Sequence, residues 1–197
     1  MPKGIQRSTE EIKDQRLLIA RAAAKLIFNN GFSETSVSQI AAAAGIGKST
    51  FYEFFSNKDE VILLLLDEPL AEIRAQAEII AGESGAPFER ITRILHMHLE
   101  ILLRNKASIF RLFFEFQRLP ISVQAQHEAK RKAYQDLLLA LIEEGMADNS
   151  FRAVDADIVM KSLLSILSSV VMTPRPSDTP AGMLDTALDI LYRGIQS

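Results

Sequence analysis

A chain of 197 residues with 48% hydrophobic and 24% charged residues is long enough for one large or two small globular domains and a sizeable core. It holds no cysteine, which excludes disulfides and thiolate chemistry and suits a reducing compartment. The formal net charge of −3 argues superficially against nucleic acid, but the first sixty residues carry eight Lys/Arg against seven Asp/Glu and the rest fourteen against eighteen, so composition is neutral on function.

The opening MPKGIQRSTEE lacks the apolar stretch of a signal peptide, and the longest apolar run, Val61 to Leu66, is too short to span a bilayer. A cytoplasmic protein with no membrane partner is expected. Lys3 and Arg7 fall in what reads as a mobile basic arm. Thr9 with Glu10-Glu11 marks a helix start. Ile12, Ile19, Ala22, Ala23, Leu26 and Ile27 then set out an apolar face at helical spacing, and Gly31 marks the stop.

The next stretch, TSVSQIAAAAGIGKSTFYEFFSNKDE from Thr35 to Glu60, carries the most information. Ser36 and Gln39 form a capping-box pattern, Val37, Ile40, Ala41 and Ala44 recur at helical spacing, and Gly45 supplies a positive φ to end a short helix. A second short helical pattern runs from Lys48 to Phe55. Two brief helices joined by a Gly-containing turn predict a helix-turn-helix. Lys48, Ser49 and Thr50 fall in the first turn of its second helix, where side chains can meet phosphates and base edges. Tyr52 shares that face, and Phe51, Phe54 and Phe55 supply the inward anchor. The plainer reading is a small helical cap with ordinary polar surface residues.

Asn57 with Glu60 opens a long fourth helix through Leu63–Leu66, Ile73 and Ile79-Ile80, in which Pro69 predicts a kink or break near Leu66. A loop at 82–87 follows. Four more helices are then legible: one around Ile91, Ile94-Leu95 and Leu99 up to about Arg104, one from Ile109 to Phe116 stopped by Pro120, one over Tyr134 to Ile142 followed by Gly145, and one over Val159 to Val171. TPRPSDTP breaks the pattern before a last helix from Met183 to Ile195. With no alternating strand pattern, the chain reads as all-α, about nine helices in total.

His96 and His98 point roughly 200° apart on a helix and cannot share an ion from one face. His96 and Glu100 could, but the histidine inventory is thin, and no metal site or cofactor is expected. A small all-α enzyme using His96 and Glu100 remains as an alternative. There is no Gly-rich phosphate loop and no nucleophile with a recognisable base partner. The Phe cluster at 110, 113, 114 and 116 reads as packed core or as the wall of an apolar ligand cavity. Ser162, Ser165 and Ser169 form a small-residue stripe on which a second helix could pack closely, within the chain or from another copy.

The segment from about residue 10 to 64 resembles the N-terminal DNA-binding domain of the TetR family of bacterial transcriptional regulators. The resemblance rests on Gly31-Phe32, Thr35-Ser36-Val37, Ile40-Ala41, Ala44-Gly45-Ile46, Lys48, Thr50-Phe51-Tyr52, Phe55 and Asn57-Lys58-Asp59-Glu60. Two departures stand out: Gly47 where the family often has a Ser N-cap, and Glu53-Phe54 where a His-His pair is frequent.

The resemblance implies a helix-turn-helix DNA-binding domain at 1–60 and a helical effector-binding and dimerisation domain at 61–197. It implies a DNA-contacting set of Thr35, Ser36, Val37, Gly47, Lys48, Ser49, Thr50, Tyr52 and Lys58, on double-stranded DNA with a palindromic operator. An effector cavity lined by His96, Glu100, Phe113 and Tyr134 is expected, as is a homodimer interface of Ser162, Ser165, Ser169, Leu184, Leu188 and Leu191. The implied protein is a repressor released from DNA by a small molecule; a ligand-independent regulator controlled by a protein partner is the alternative within binding proteins.

Overall fold

The structure, a computed structural model, describes residues 8–104, 112, 114–172 and 179–196. Eight helices have defined bounds: α1 Thr9–Asn30, α2 Val37–Ala43, α3 Lys48–Phe54, α4 Asp59–Ala81, α5 Pro87–Arg104, α6 Ile121–Ala147, α7 Ala156–Met172 and α8 Pro180–Ile195. Residue 112 and residues 114–116 are also helical. Among the described residues there is no strand, only an isolated bridge between Phe151 and Gln196.

The chain packs as two compact units. The first contains the chain up to Glu68 and the segment that ends at His127. The second begins at Pro69, leaves out that segment, and resumes at Glu128. The boundary expected at residue 60 falls at the start of α4, whereas the packing divides eight residues later, within that helix.

In the first unit, α1 opens on a capping box one residue before the expected start: the Glu11 N–H donates to Ser8 Oγ at 3.2 Å and the Ser8 N–H to Glu11 Oε2 at 2.7 Å. Ile19, Ala20, Ala23 and Ile27 bury the inner face of α1 in one cluster with Ile40 and Ala41 of α2, Phe51 and Phe54 of α3, and Val61, Ile62 and Leu66 of α4. Leu112, Phe116 and Leu119 join that cluster from the returning segment. Asn57 caps α4, its Oδ1 accepting the Glu60 N–H at 3.0 Å, as the spacing predicts. Pro69 does not break this helix, which continues to Ala81.

In the second unit, the buried faces of α5, α6, α7 and α8 meet around Ile94, Leu95, Leu138, Leu163 and Leu188, with Ile73 and Ala77 from α4. Arg90 is buried there, donating to the Ala81 carbonyl at 2.8 Å and to Glu144. Gly145, which follows the apolar pattern ending at Ile142, lies inside α6. A Cβ at that position would come within 2.3 Å of the Phe151 ring, so the glycine serves a close ring-to-backbone approach. The last helix starts three residues earlier than expected, because Thr179 caps it by accepting the Gly182 N–H at 3.1 Å and Pro180 occupies its first turn.

Candidate functional site

The helix-turn-helix is built by local chemistry that the sequence spells out. Ser36 Oγ accepts the Gln39 N–H at 3.2 Å and Gln39 Oε1 accepts the Ser36 N–H at 2.8 Å, closing both ends of the capping box. At the far end of α2, Gly45 takes φ +69°. The Ile46 N–H then donates to the Ala41 carbonyl at 2.9 Å and the Gly45 N–H to the Ala42 carbonyl at 3.1 Å, a Schellman ending. Gly47 caps α3 through its backbone only, accepting the Phe51 N–H at 3.1 Å.

Phe51, Phe54 and Phe55 fix which face of α3 looks out. Phe51 and Phe55 are fully buried and stack at 5.5 Å, and Phe51 also meets the Tyr52 ring edge-on. Gly47, Lys48, Ser49 and Tyr52 are exposed, Tyr52 by 50%, with Thr50 half-buried beside them. Ser36 is exposed at the head of α2 and Val37 half-buried. Lys48, Ser49, Thr50 and Tyr52 thus present one cation and three hydroxyls on a helix too short to stand without its aromatic anchor.

Two expected DNA contacts are spoken for. Thr35 is fully buried, its hydroxyl donating to the Gly31 carbonyl at 2.7 Å, because it closes the turn after α1. Lys58 turns inward: its ammonium donates to the carbonyls of Phe32 at 2.8 Å, Thr35 at 3.2 Å and Ser33 at 3.4 Å and lies 4.3 Å from the centre of the Phe32 ring. Arg16 does the same for α3, donating to the Phe54 carbonyl with its guanidinium over Phe55. The sequence signal was available for neither, since carbonyls without partners leave no mark on residue identity.

In the second unit the expected effector residues do not converge. His96 Nε2 pairs with Asp185 Oδ1 of α8 at 2.7 Å and Glu100 is exposed, so this i, i+4 couple does not face Tyr134. Phe113 lies outside the described residues. Tyr134 is buried as a lining role requires, and it pairs with His98, which was not among the expected lining residues: Nδ1 and the phenol oxygen are 3.0 Å apart, with the rings edge to face. Burial, with the Arg131 charge adding to it, lowers the His98 pKa to about 4, and burial raises that of the Tyr134 phenol. No group of three or more metal-ligating side chains occurs among the described residues, and none of their helices is long and apolar enough to cross a membrane.

The expected dimer set divides by burial. Ser165 and Ser169 are exposed and Ser162 half-buried, with the Ser162 and Ser165 hydroxyls donating back to the carbonyls of Ile158 and Lys161 at 2.8 Å. Leu184 and Leu188 are buried in their own unit, at 0% and 2% exposure, and Leu191 is half-buried. Those two leucines are therefore core: the register of α8 turns Gly182, Met183, Thr186, Ala187 and Ile190 outward, beside Ile166 and Ser169 of α7, along one groove. Ile158, Met172 and Ile190 carry the exposed apolar surface on these two helices, at 57%, 45% and 68%.

Residues 19–65 match the family described as bacterial regulatory proteins, tetR family, and residues 84–195, more than half of the chain, match the tetracyclin repressor-like C-terminal domain. The chain belongs to the TetR family. It is a DNA-binding transcriptional regulator of the TetR type, as the resemblance implied. The fatty acid metabolism regulator protein of Bacillus subtilis (strain 168) is 22% identical over 185 residues, covering 91% of this chain and 94% of that one. The crystal structure of the transcriptional regulator FadR from Bacillus subtilis in complex with stearoyl-CoA superposes with a TM-score of 0.79 at 20% identity, over 91% of this chain and 99% of that one. The structure of AibR in complex with isovaleryl coenzyme A and operator DNA gives 0.73 at 21% identity, over 90% and 98%. At these identities the two structures speak for the TetR fold alone.

Proposed function

We propose that this TetR-family protein is a homodimeric repressor that holds a palindromic operator through Ser36, Val37, Gly47, Lys48, Ser49, Thr50 and Tyr52, and that an acyl-CoA releases it. The observation that carries the DNA contact is the outward group Lys48, Ser49 and Tyr52 on an α3 whose other face is locked by three buried phenylalanines. A cation and hydroxyls at the start of a recognition helix suit phosphate and base edges together. The effector class is supported by the relatives, a fatty acid metabolism regulator and two fold neighbours bound to acyl-CoA thioesters. Ser162, Ser165, Ser169 and Ile190 supply a closely approachable, partly apolar surface for a second copy.

The protein acts on DNA in the cytoplasm and binds its effector without transforming it. Release follows from tighter effector binding to the state that does not fit the operator. Fluorescence anisotropy on DNA from upstream of the coding sequence, and on duplexes selected from a random library, tests the reading. Saturable binding to a palindrome, weakened by salt and reversed by hexadecanoyl-CoA, is expected. Binding no tighter to any selected duplex than to random DNA would overturn the operator reading. Specific binding that hexadecanoyl-CoA leaves untouched would overturn the effector class alone.

A further inference from the structure

The two helices of the helix-turn-helix are ended differently. α2 is closed by local chemistry, the Ser36–Gln39 box at one end and Gly45 at the other. α3 has neither device. Its N-cap, Gly47, makes no side-chain hydrogen bond. At its C-cap Phe55 leaves in an extended conformation, φ −140° and ψ 130°, with its N–H on the Phe51 carbonyl. A helix of 7 residues with no side-chain cap of its own draws its placement from the rest of the fold. The carbonyl of Phe54, the last residue of α3, takes its donor from Arg16 on α1, 38 positions earlier. The guanidinium also lies 4.4 Å from the centre of the Phe55 ring. A cation at a helix C-terminus meets the negative end of the dipole, so the contact is favourable in charge as well as in geometry.

From Arg16 a series of rings leads to the outward face of α3. The guanidinium covers Phe55, Phe55 stacks on Phe51 at 5.5 Å, and Phe51 meets Tyr52 edge-on at 5.5 Å. Phe51 and Phe55 are fully buried, and close packing passes a displacement from one ring to the next. Tyr52 ends the series, exposed beside Lys48 and Ser49. We infer that Arg16 is a positioning residue for operator reading. It holds the C-terminal end of α3 so that Lys48, Ser49, Thr50 and Tyr52 meet base edges in one register, and it does not touch DNA itself. This rests on the operator reading above and goes beyond it by naming what sets the register of the contact residues.

The consequence is selective. Base-edge hydrogen bonds hold only within roughly half an ångström of their best length, whereas a lysine on a flexible stem still finds a phosphate from a shifted helix. The test measures fluorescence anisotropy of the full-length protein on a duplex selected from a random library and on a random duplex, each over a range of salt. Wild type, Arg16→Met and Arg16→Lys are compared. Arg16→Met keeps an unbranched stem and removes the donor. It should lower the ratio of operator to random affinity by about tenfold, the discrimination carried by one base contact. Affinity for the random duplex and the slope of log K against log salt should stay unchanged.

Arg16→Lys, which can still donate to the Phe54 carbonyl but has no plane to lay on Phe55, should give an intermediate ratio. In fluorotyrosine-labelled protein the Tyr52 ¹⁹F resonance should move in Arg16→Met, while those of Tyr134 and Tyr192, both in the second unit, stay in place. Equal losses on both duplexes with a slope lowered by about 1 would make Arg16 a phosphate contact and overturn the inference. An unchanged ratio in an Arg16→Met variant whose circular dichroism matches the wild type would make the contact one of stability alone, and would overturn it too. If Arg16→Met fails to fold, Arg16→Lys decides, and a wild-type ratio with an unmoved Tyr52 resonance would overturn it. If the wild type prefers no selected duplex, the operator reading falls first and this assignment with it.

Discussion

Lys48 and Lys58 look alike in the sequence, two lysines of the helix-turn-helix region, and the fold gives them opposite work. Lys48 stands exposed, whereas Lys58 joins three carbonyls in the turn after α1 and covers Phe32. Lys48→Ala should weaken DNA binding and lower the slope of log K against log salt by about 1, as the loss of one phosphate contact does. Lys58→Met keeps the stem and removes the ammonium, so it should leave that slope unchanged and cost about 1.5–3 kcal/mol in urea unfolding, the range for hydrogen bonds to a charged group. An unchanged slope for Lys48→Ala would remove it from the interface.

His98 makes a second prediction at this scale. Its folded pKa of about 4 lies below the ordinary 6.5, so the unfolded chain takes up the proton first as the pH drops. Stability should fall between pH 6.5 and 4 and stop falling on this account below about 4, a loss of roughly 3 kcal/mol at most. His98→Gln should flatten that part of the urea-midpoint profile. What the sequence could show of these residues was their type and helical face. It could not show that Lys58 meets carbonyls from residues more than twenty positions earlier, or that Tyr134 pairs with His98 and not His96.

Among the elements, those with local causes were legible. Ser36 with Gln39 and Asn57 with Glu60 are start signals whose partners lie three residues away, and Gly45 ends α2 through its own backbone conformation. Gly145 shows where this mode of reading ends, since its reason is Phe151, a ring from beyond the helix that no periodicity reveals. Gly145→Ala should therefore destabilise by about 1–3 kcal/mol, as overpacking does. Gly194, also helical but with open space where a Cβ would sit, should gain about 0.5–1 kcal/mol on substitution by Ala. Thermal and urea unfolding of the two variants compare them directly, and equal effects would refute the role given to Phe151. Pro69 was expected to interrupt α4, yet the helix continues to Ala81 and the division between the compact units comes at that residue.

For the molecule as a whole, the all-α class and the order of helices followed from apolar spacing, while the faces used for assembly did not. Leu184 and Leu188 have the look of interface leucines and are core; Ile158, Met172 and Ile190 are exposed. Leu188→Ala should cost about 2–5 kcal/mol of folding stability. Ile190→Asp should leave the folded protomer intact and shift it from dimer to monomer in sedimentation, with operator affinity lost in parallel. If Ile190→Asp remained dimeric, this face of α8 would not be the interface.

The segment around Leu112, Phe116 and Leu119 contributes side chains to the core of the first unit although nearly sixty residues of chain separate it from α3. The operator-reading part is thus no detachable cassette. A graft that carries only residues 1–60 into another regulator of this family moves the recognition helix and leaves behind part of what packs with it. Chimeras that also transfer residues 112–127 should keep their fold where shorter ones expose apolar surface and aggregate. Recombination among such genes should meet the same constraint, so that readers and responders are exchanged less freely than their order along the chain suggests.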